Sequence, residues 1–218
     1  GGGGPSTPTP ATVEFRGFAY PGAVVNILKD GASAGLTLAD DAGDFLFLLS
    51  GLSGGSYNFG FWAQDKVGRR SVTFTFQITL NGGSTTKVSG IVLPPTIGLN
   101  RASVSPGENI IVSGASTPAA QIRIQVASSP KEYLTKALLS GDYSQTFSTS
   151  GLEKGLHTAK SKTEVTKTGN ESVFSQLVAF GVGVPAPQEV CGAKPDINKD
   201  GKVNLIDFSI MAYGWKRP

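Results

Sequence analysis

Five oxygen-bearing side chains near the C-terminus are spaced as a loop that closes on one metal ion. Counting Asp196 as position 1, they fall at positions 1, 3, 5, 9 and 12: Asp196, Asn198, Asp200, Asn204 and Asp207. Lys202, at position 7, would add its backbone carbonyl. Hard Ca²⁺ takes six to eight oxygen ligands, and a single loop supplies them in this order. Gly201, at position 6, permits the sharp turn such a loop needs. Val203, at position 8, is apolar, as expected of a residue that pins the loop to a core. The plainer reading is a solvated Asp/Asn turn ahead of a helix.

The elements around the loop are unequal. Before it, Pro195 restricts Lys194 and breaks any helical run. After it, Leu205, Phe208, Met211 and Trp215 recur at spacings of 3, 3 and 4, which predicts a helix over residues 205–213 with one apolar face. The loop therefore departs from the EF-hand, with Asp at position 12 and no entering helix. The string D-x-N-x-D-G-x-V-N-x-x-D with its exiting helix resembles a dockerin repeat. Dockerins carry two such repeats and this chain shows one. Their partner-reading positions 10 and 11 are here Leu205 and Ile206, both apolar. The resemblance implies a Ca²⁺ ion and a cohesin-like receptor. One repeat with an apolar helix face must dock on the preceding domain, on a neighbouring molecule or on a second repeat beyond Pro218.

Composition narrows the class. The 218 residues include 29 Gly and 13 Pro, with 16% charged residues, a mixture rich in turns and short strands. The net charge of +3 is scattered, and aromatics sit in apolar alternation rather than among lysines, which argues against a nucleic-acid groove. No apolar run is long enough for a membrane span. The opening Gly-Gly-Gly-Gly-Pro reads as a mature or trimmed start, not a leader. A Ca²⁺ loop suits a compartment with millimolar calcium, so a secreted, cell-surface setting of bacterial type is expected. The single cysteine, Cys191, cannot form an internal disulfide; it either bridges molecules or packs as a small residue beside the helix.

The chain divides into five stretches. Residues 1–11 form a Gly/Pro-rich extended arm. Residues 12–94 and 95–184 both read as antiparallel β-structure. Residues 185–194 are a Pro-rich linker, and residues 195–218 hold the calcium loop and helix. Period-two alternation marks the strands: Val25 and Ile27; Tyr57, Phe59 and Phe61; Val72, Phe74, Phe76 and Ile78. The two long stretches repeat each other. Gly17 and Pro21 match Gly114 and Pro118, and Val25 and Ile27 match Ile122 and Ile124. Gly43, Asp44 and Phe45 match Gly141, Asp142 and Tyr143. Leu52, Gly55 and Tyr57 match Leu152, Gly155 and His157. The shared order is G-x-[AS]-x-P, an alternating strand, G-D-[FY], then L-x-x-G-x-[YH]. This resembles the bacterial Ig-like repeats of secreted surface proteins, and it implies an all-β fold of two tandem Ig-like antiparallel β-sandwiches of about seven strands each.

Other residues compete for a role. His157 stands where the first repeat has Tyr57, so a structural aromatic position is expected rather than a base; with one His and one Cys, no Ser-His-Asp or Cys-His arrangement is convincing. Asp40, Asp41 and Asp44 surround a turn, and Asx bonding explains them better than a metal. Trp62 is out of phase with the core aromatics and is expected on the outer face, where it could offer a glycan contact. Asn170, Glu171 and Ser172 match a glycosylation sequon.

Two functions follow. The first is a non-enzymatic extracellular structural protein that self-associates into a homopolymer, a filament or layer. In it the arm would add a strand to a neighbour's sheet from Ala11 through Val13 and Phe15, and the calcium-held helix would make a second contact. The second is a scaffold-docking or glycan-binding module carried by its dockerin-like tail. For the loop itself, titration calorimetry is expected to show chelator-sensitive binding of one Ca²⁺. Asp207→Ala should weaken it most, since that change removes a bidentate carboxylate. Absence of chelator-sensitive binding would refute the calcium loop.

Overall fold

A computed structural model describes residues 9–127 and 131–186. The six calcium-loop residues, the 205–213 helix and Cys191 lie outside the described residues, as do residues 1–8 of the arm. Among the described residues all regular structure is strand, and no helix occurs. The first sandwich comprises β1 (Ala11–Phe18), β2 (Val24–Lys29), β3 (Ala32–Leu38), β4 (Asp44–Leu52), β5 (Gly55–Ala63), β6 (Phe74–Leu80) and β7 (Thr85–Val92). Its sheets run β4-β1-β7 and β3-β2-β5-β6. The second comprises β8 (Gly98–Leu99), β9 (Ser103–Val104), β10 (Asn109–Ala115), β11 (Gln121–Ala127), β12 (Lys131–Lys136), β13 (Asp142–Ser148), β14 (Gly155–Val165), β15 (Asn170–Glu171) and β16 (Val178–Val182). Its sheets run β13-β10-β8 and β12-β11-β14-β16-β9, with β15 on β14.

Alternation decides which face each strand buries. Val13 and Phe15 of β1 are inside, whereas Arg16 is out. Ile122, Ile124 and Val126 of β11 are inside, between Gln121, Arg123 and Gln125. Side chains two apart share a face of a strand, so each sheet offers one apolar surface to its partner. The first core is aromatic. Phe15 meets Phe59 and Phe61 edge-on, at centroid distances of 4.8 and 5.0 Å, and Phe61 stacks on Phe76 at 5.7 Å. The second core is mainly aliphatic, with Ile110, Val112, Ile122 and Ile124 packed around the Phe147 and Phe180 rings.

Two of the repeat markers meet across one strand pair. Gly17 pairs with Phe45, and Gly114 pairs with Tyr143. A methyl group at Gly17 would sit 2.3 Å from the Ile91 carbonyl oxygen and 2.8 Å from the Phe45 ring. At Gly114 it would sit 1.9 Å from the Thr96 carbonyl oxygen and 2.6 Å from the Tyr143 ring. The first glycine of G-x-[AS]-x-P thus lets the aromatic of G-D-[FY] lie flat over its strand.

The two expected Ig-like sandwiches are present, with one refinement of their pairing and one correction. The sandwiches are not wholly antiparallel: β1 pairs β7 in parallel, and β16 pairs β9 in parallel. β7 reaches β1 by crossing from the opposite sheet after β6, and a crossover can deliver a parallel neighbour where a hairpin cannot. Ala11, Val13 and Phe15 also cannot add to a neighbour's sheet. They lie in the middle strand of their own sheet, hydrogen-bonded to β4 on one side and β7 on the other. The arm is anchored just ahead of that strand, where the Gly83 amide donates to the Thr9 carbonyl at 2.9 Å.

Because neither Gly17 nor Gly114 has room for a methyl group, Gly17→Ala should overpack the first sandwich. We expect a loss of about 1–3 kcal/mol in urea unfolding at unchanged m-value. An unchanged midpoint would contradict the close approach.

Candidate functional site

His157 is buried against its own corner. Its Nε2 lies 2.8 Å from the Glu153 carbonyl, to which it donates, and its ring stacks on Phe180 at 5.5 Å. Tyr57 does the same in the first repeat, its hydroxyl donating to the Ser53 carbonyl at 3.0 Å. An aromatic at the start of a strand that bonds backbone four residues upstream is the tyrosine corner of Ig-like sandwiches. The marker L-x-x-G-x-[YH] is that corner, with histidine standing in for tyrosine.

The acidic turn is also structural. One Asp40 carboxylate oxygen accepts from the amides of Ala42 at 2.9 Å and Asp44 at 2.8 Å. Among the described residues no three His, Cys, Asp or Glu side chains are grouped to hold a metal. Trp62 does face outward, but the Arg70 guanidinium covers its ring at 3.8 Å. Asn170 of the sequon donates its side-chain amide to the Gly90 carbonyl of β7 at 2.9 Å, so it clasps the first sandwich.

The residues that sequence reasoning passed over converge where the two sandwiches meet. Residues 91–97, which join them, are buried throughout. Thr96 is fully buried; its hydroxyl donates to Asp65 Oδ2 at 2.7 Å and accepts the Ala115 amide at 2.9 Å. Its carbonyl accepts the Tyr143 hydroxyl at 2.6 Å. Tyr20 donates to the Pro94 carbonyl. The Asp65 side chain is only 2% exposed, and its Oδ2 also accepts Arg69 Nε at 2.7 Å. Its Oδ1 accepts the amides of Val67 at 3.1 Å and Arg69 at 2.8 Å. Arg69 then reaches across with Nη1 to the Ser113 carbonyl of β10 at 3.2 Å.

The contact has an internal two-fold character. Pro21 of the first repeat lies over Gly141 of the second, and Pro118 of the second lies over Gly43 of the first. A methyl group at Gly141 would sit 2.5 Å from Pro21 Cδ, and one at Gly43 would sit 2.8 Å from Pro118 Cδ. Equivalent residues therefore exchange equivalent contacts, as in an isologous interface. Beside it lies a cleft of about 220 Å³ edged by Pro21, Lys66, Ala115 and Asp142.

Electrostatics agree with this packing. Burial pushes the Tyr20 and Tyr143 hydroxyls far up, so both stay neutral donors. Burial would also raise Asp65. The Thr96 hydroxyl and the Arg69 side chain and amide outweigh it, so the carboxyl is held below its ordinary value. The signal in the sequence was faint. The turn amide of Gly68 donates to the Asp65 carbonyl as that of Gly169 does to the Val165 carbonyl, so Asp65 stands where the second repeat has an apolar residue.

No protein-family profile matches the sequence, and no curated protein matches it. Similar solved structures include a Ca²⁺-stabilised adhesin with which an Antarctic bacterium reaches out and binds ice, at 15% identity and a TM-score of 0.30. That match covers 81% of this chain and 49% of the adhesin chain, so this chain spans about half its length. The fibronectin(III)-like modules of Clostridium thermocellum CbhA are 14% identical, with 82% and 91% covered and a TM-score of 0.25. A 1.5-MDa bacterial ice-binding adhesin is 14% identical, with 80% and 64% covered and a TM-score of 0.30.

His157→Ala should cost the second sandwich about 2–3 kcal/mol, from lost ring packing and an orphaned carbonyl. His157→Tyr should cost clearly less, since Tyr57 makes the same bond. Urea unfolding of both variants decides it, and equal losses would refute the equivalence.

Proposed function

We propose that the chain is a non-enzymatic extracellular structural protein, a subunit of a surface filament or layer. Its two sandwiches act as one stiff strut, and its ends make the contacts between molecules. The observation that supports this most is the burial of residues 91–97. A linker on the surface bends freely; a buried one bends only by exposing apolar side chains and unpairing backbone groups. The pairing of Pro21 with Gly141 and of Pro118 with Gly43 stiffens the same joint.

The contacts themselves are assigned to the two ends. At the C-terminal end, the Ca²⁺ loop of Asp196, Asn198, Asp200, Lys202, Asn204 and Asp207 would hold the helix that carries Leu205, Phe208, Met211 and Trp215. Each large apolar side chain buried there would contribute roughly 1.5–3 kcal/mol. At the N-terminal end, β1 belongs to its own sheet, so only the arm ahead of Thr9 is left to reach a neighbour. A calcium-dependent contact also fits the expected extracellular setting.

Light scattering and negative-stain microscopy of the full chain test this. Polymers are expected with calcium and should dissociate on chelation while both sandwiches stay folded. Deleting residues 1–8 should shorten or abolish them. A chain that stays monomeric at high concentration with calcium, yet captures a cohesin-like receptor, would replace the filament reading with scaffold docking.

A further inference from the structure

We infer that Asp65 is an interdomain clasp: its carboxylate holds the linker through Thr96 and β10 through Arg69, and removing its charge frees the sandwiches to move as separate bodies. The inference stands whether or not the chain polymerises, since it concerns one molecule.

The geometry carries it. Asp65 sits in the turn between β5 and β6, a first-sandwich element, yet one of its oxygens is shared between that turn and the linker. Thr96 passes the contact on, accepting the Ala115 amide at 2.9 Å and donating its own amide to the Ala115 carbonyl at 3.0 Å. Arg69 makes the second bridge, to Ser113 at 3.2 Å. Ala115 and Ser113 both belong to β10 of the second sandwich. Both of these paths run through a single carboxylate; the Asn170 bond to the Gly90 carbonyl and the Tyr20 bond to Pro94 lie apart from it and tie neither Thr96 nor Ser113. Hydrogen bonds to a charged group are stronger than neutral ones, and the second sandwich's strand is held by two of them in series. The Pro-on-Gly contacts add shape but no polar bond, so they can part without leaving an unpaired group.

The charged and titratable groups facing Asp65 are few. Arg69 lies on its own turn, Tyr20 on the β1–β2 turn and Tyr143 on β13. Lys66 and Asp142 line the adjoining cleft. Both tyrosines are neutral donors, so Asp65 is the carboxylate that must stay ionised. Its folded value is depressed. Its contribution is therefore complete above the ordinary Asp value of about 3.9 and is lost only as pH falls through the lower folded one. The clasp resists mild acid and opens in strong acid.

Hydrogen exchange and small-angle scattering of the full chain test the clasp. Asp65→Asn removes the charge; Thr96→Val removes the linker hydroxyl but leaves the Asp65 turn intact. In both, the Thr96 and Ala115 amides should exchange about tenfold faster or more, and the radius of gyration should rise. Core amides of β5 and β14 should keep wild-type protection. In wild type, the radius of gyration should stay constant from neutral pH to about pH 5 and rise only below the ordinary Asp value. Unchanged exchange at Thr96 and Ala115 in both variants would overturn the inference. So would loss of β5 protection in Thr96→Val, which would make the contact part of the first fold. Expansion already at about pH 6 would overturn it too.

Discussion

Thr96 is the residue on which the joint between the sandwiches depends. A segment connecting two domains ordinarily runs over the surface, where water satisfies its backbone. Here residues 91–97 are buried, so each polar group must find a protein partner. Thr96 uses its amide, carbonyl and hydroxyl together, toward Ala115, Tyr143 and Asp65. Its neighbours follow from that. Gly114 has no side chain because the Thr96 carbonyl occupies the space where one would begin. Position 143 is tyrosine where the first repeat has Phe45, because that carbonyl needs a donor. Phe45 faces Gly17, which instead pairs with Ile91 inside a ladder, and no hydroxyl is called for.

The fold was largely readable because its markers are backbone requirements. Gly17 and Gly114 mark a crowded strand crossing. Gly43 and Gly141 adopt φ of 82° and 83°, in the left-handed region that disfavours a side chain. Tyr57 and His157 mark the corner that turns the chain into the next strand. Each is local, each recurs in the same order in both halves, and a repeated exception stands out more than a repeated propensity. The alternating strands followed for the same reason: Val25, Ile27, Ile122 and Ile124 all face the cores.

What could not be read depends on contacts between distant elements. The parallel pairing of β7 with β1 brings residue 85 beside residue 12, and no local pattern announces it. Ala11 to Phe15 read equally well as an edge strand for a neighbour, because alternation gives a strand's faces and is silent about its edges. Asp65 escaped notice because one aspartate before a glycine turn is ordinary. Its meaning arises only when the second sandwich brings Thr96 and Ser113 to it. The six calcium-loop residues remain a reading from spacing alone.

The two halves diverge most on the outer faces. In the second sandwich Arg123 bridges Glu132 at 2.9 Å and approaches Glu164 at 4.0 Å, and Lys162 pairs with Glu171. The corresponding rows of the first sandwich hold Val24 against Leu38 and Asn26 against Leu36, with both leucines mostly exposed; Leu134, opposite Arg123, is exposed too, but it stands between Glu132 and Lys136 on its face of β12. Isolated surface ion pairs add little stability, so the charge lattice is better understood as solubility and as a guard on β12, an edge strand. The first sandwich has no such guard on β3. Two copies of one fold, locked by equivalent contacts at the joint, therefore present unlike surfaces outward. Like surfaces favour closed pairs, whereas contacts between unlike surfaces propagate unless rotation closes the ring. The exposed leucines of β3 and the ion pairs around β12 are unlike surfaces in that sense, carried by two copies of one fold.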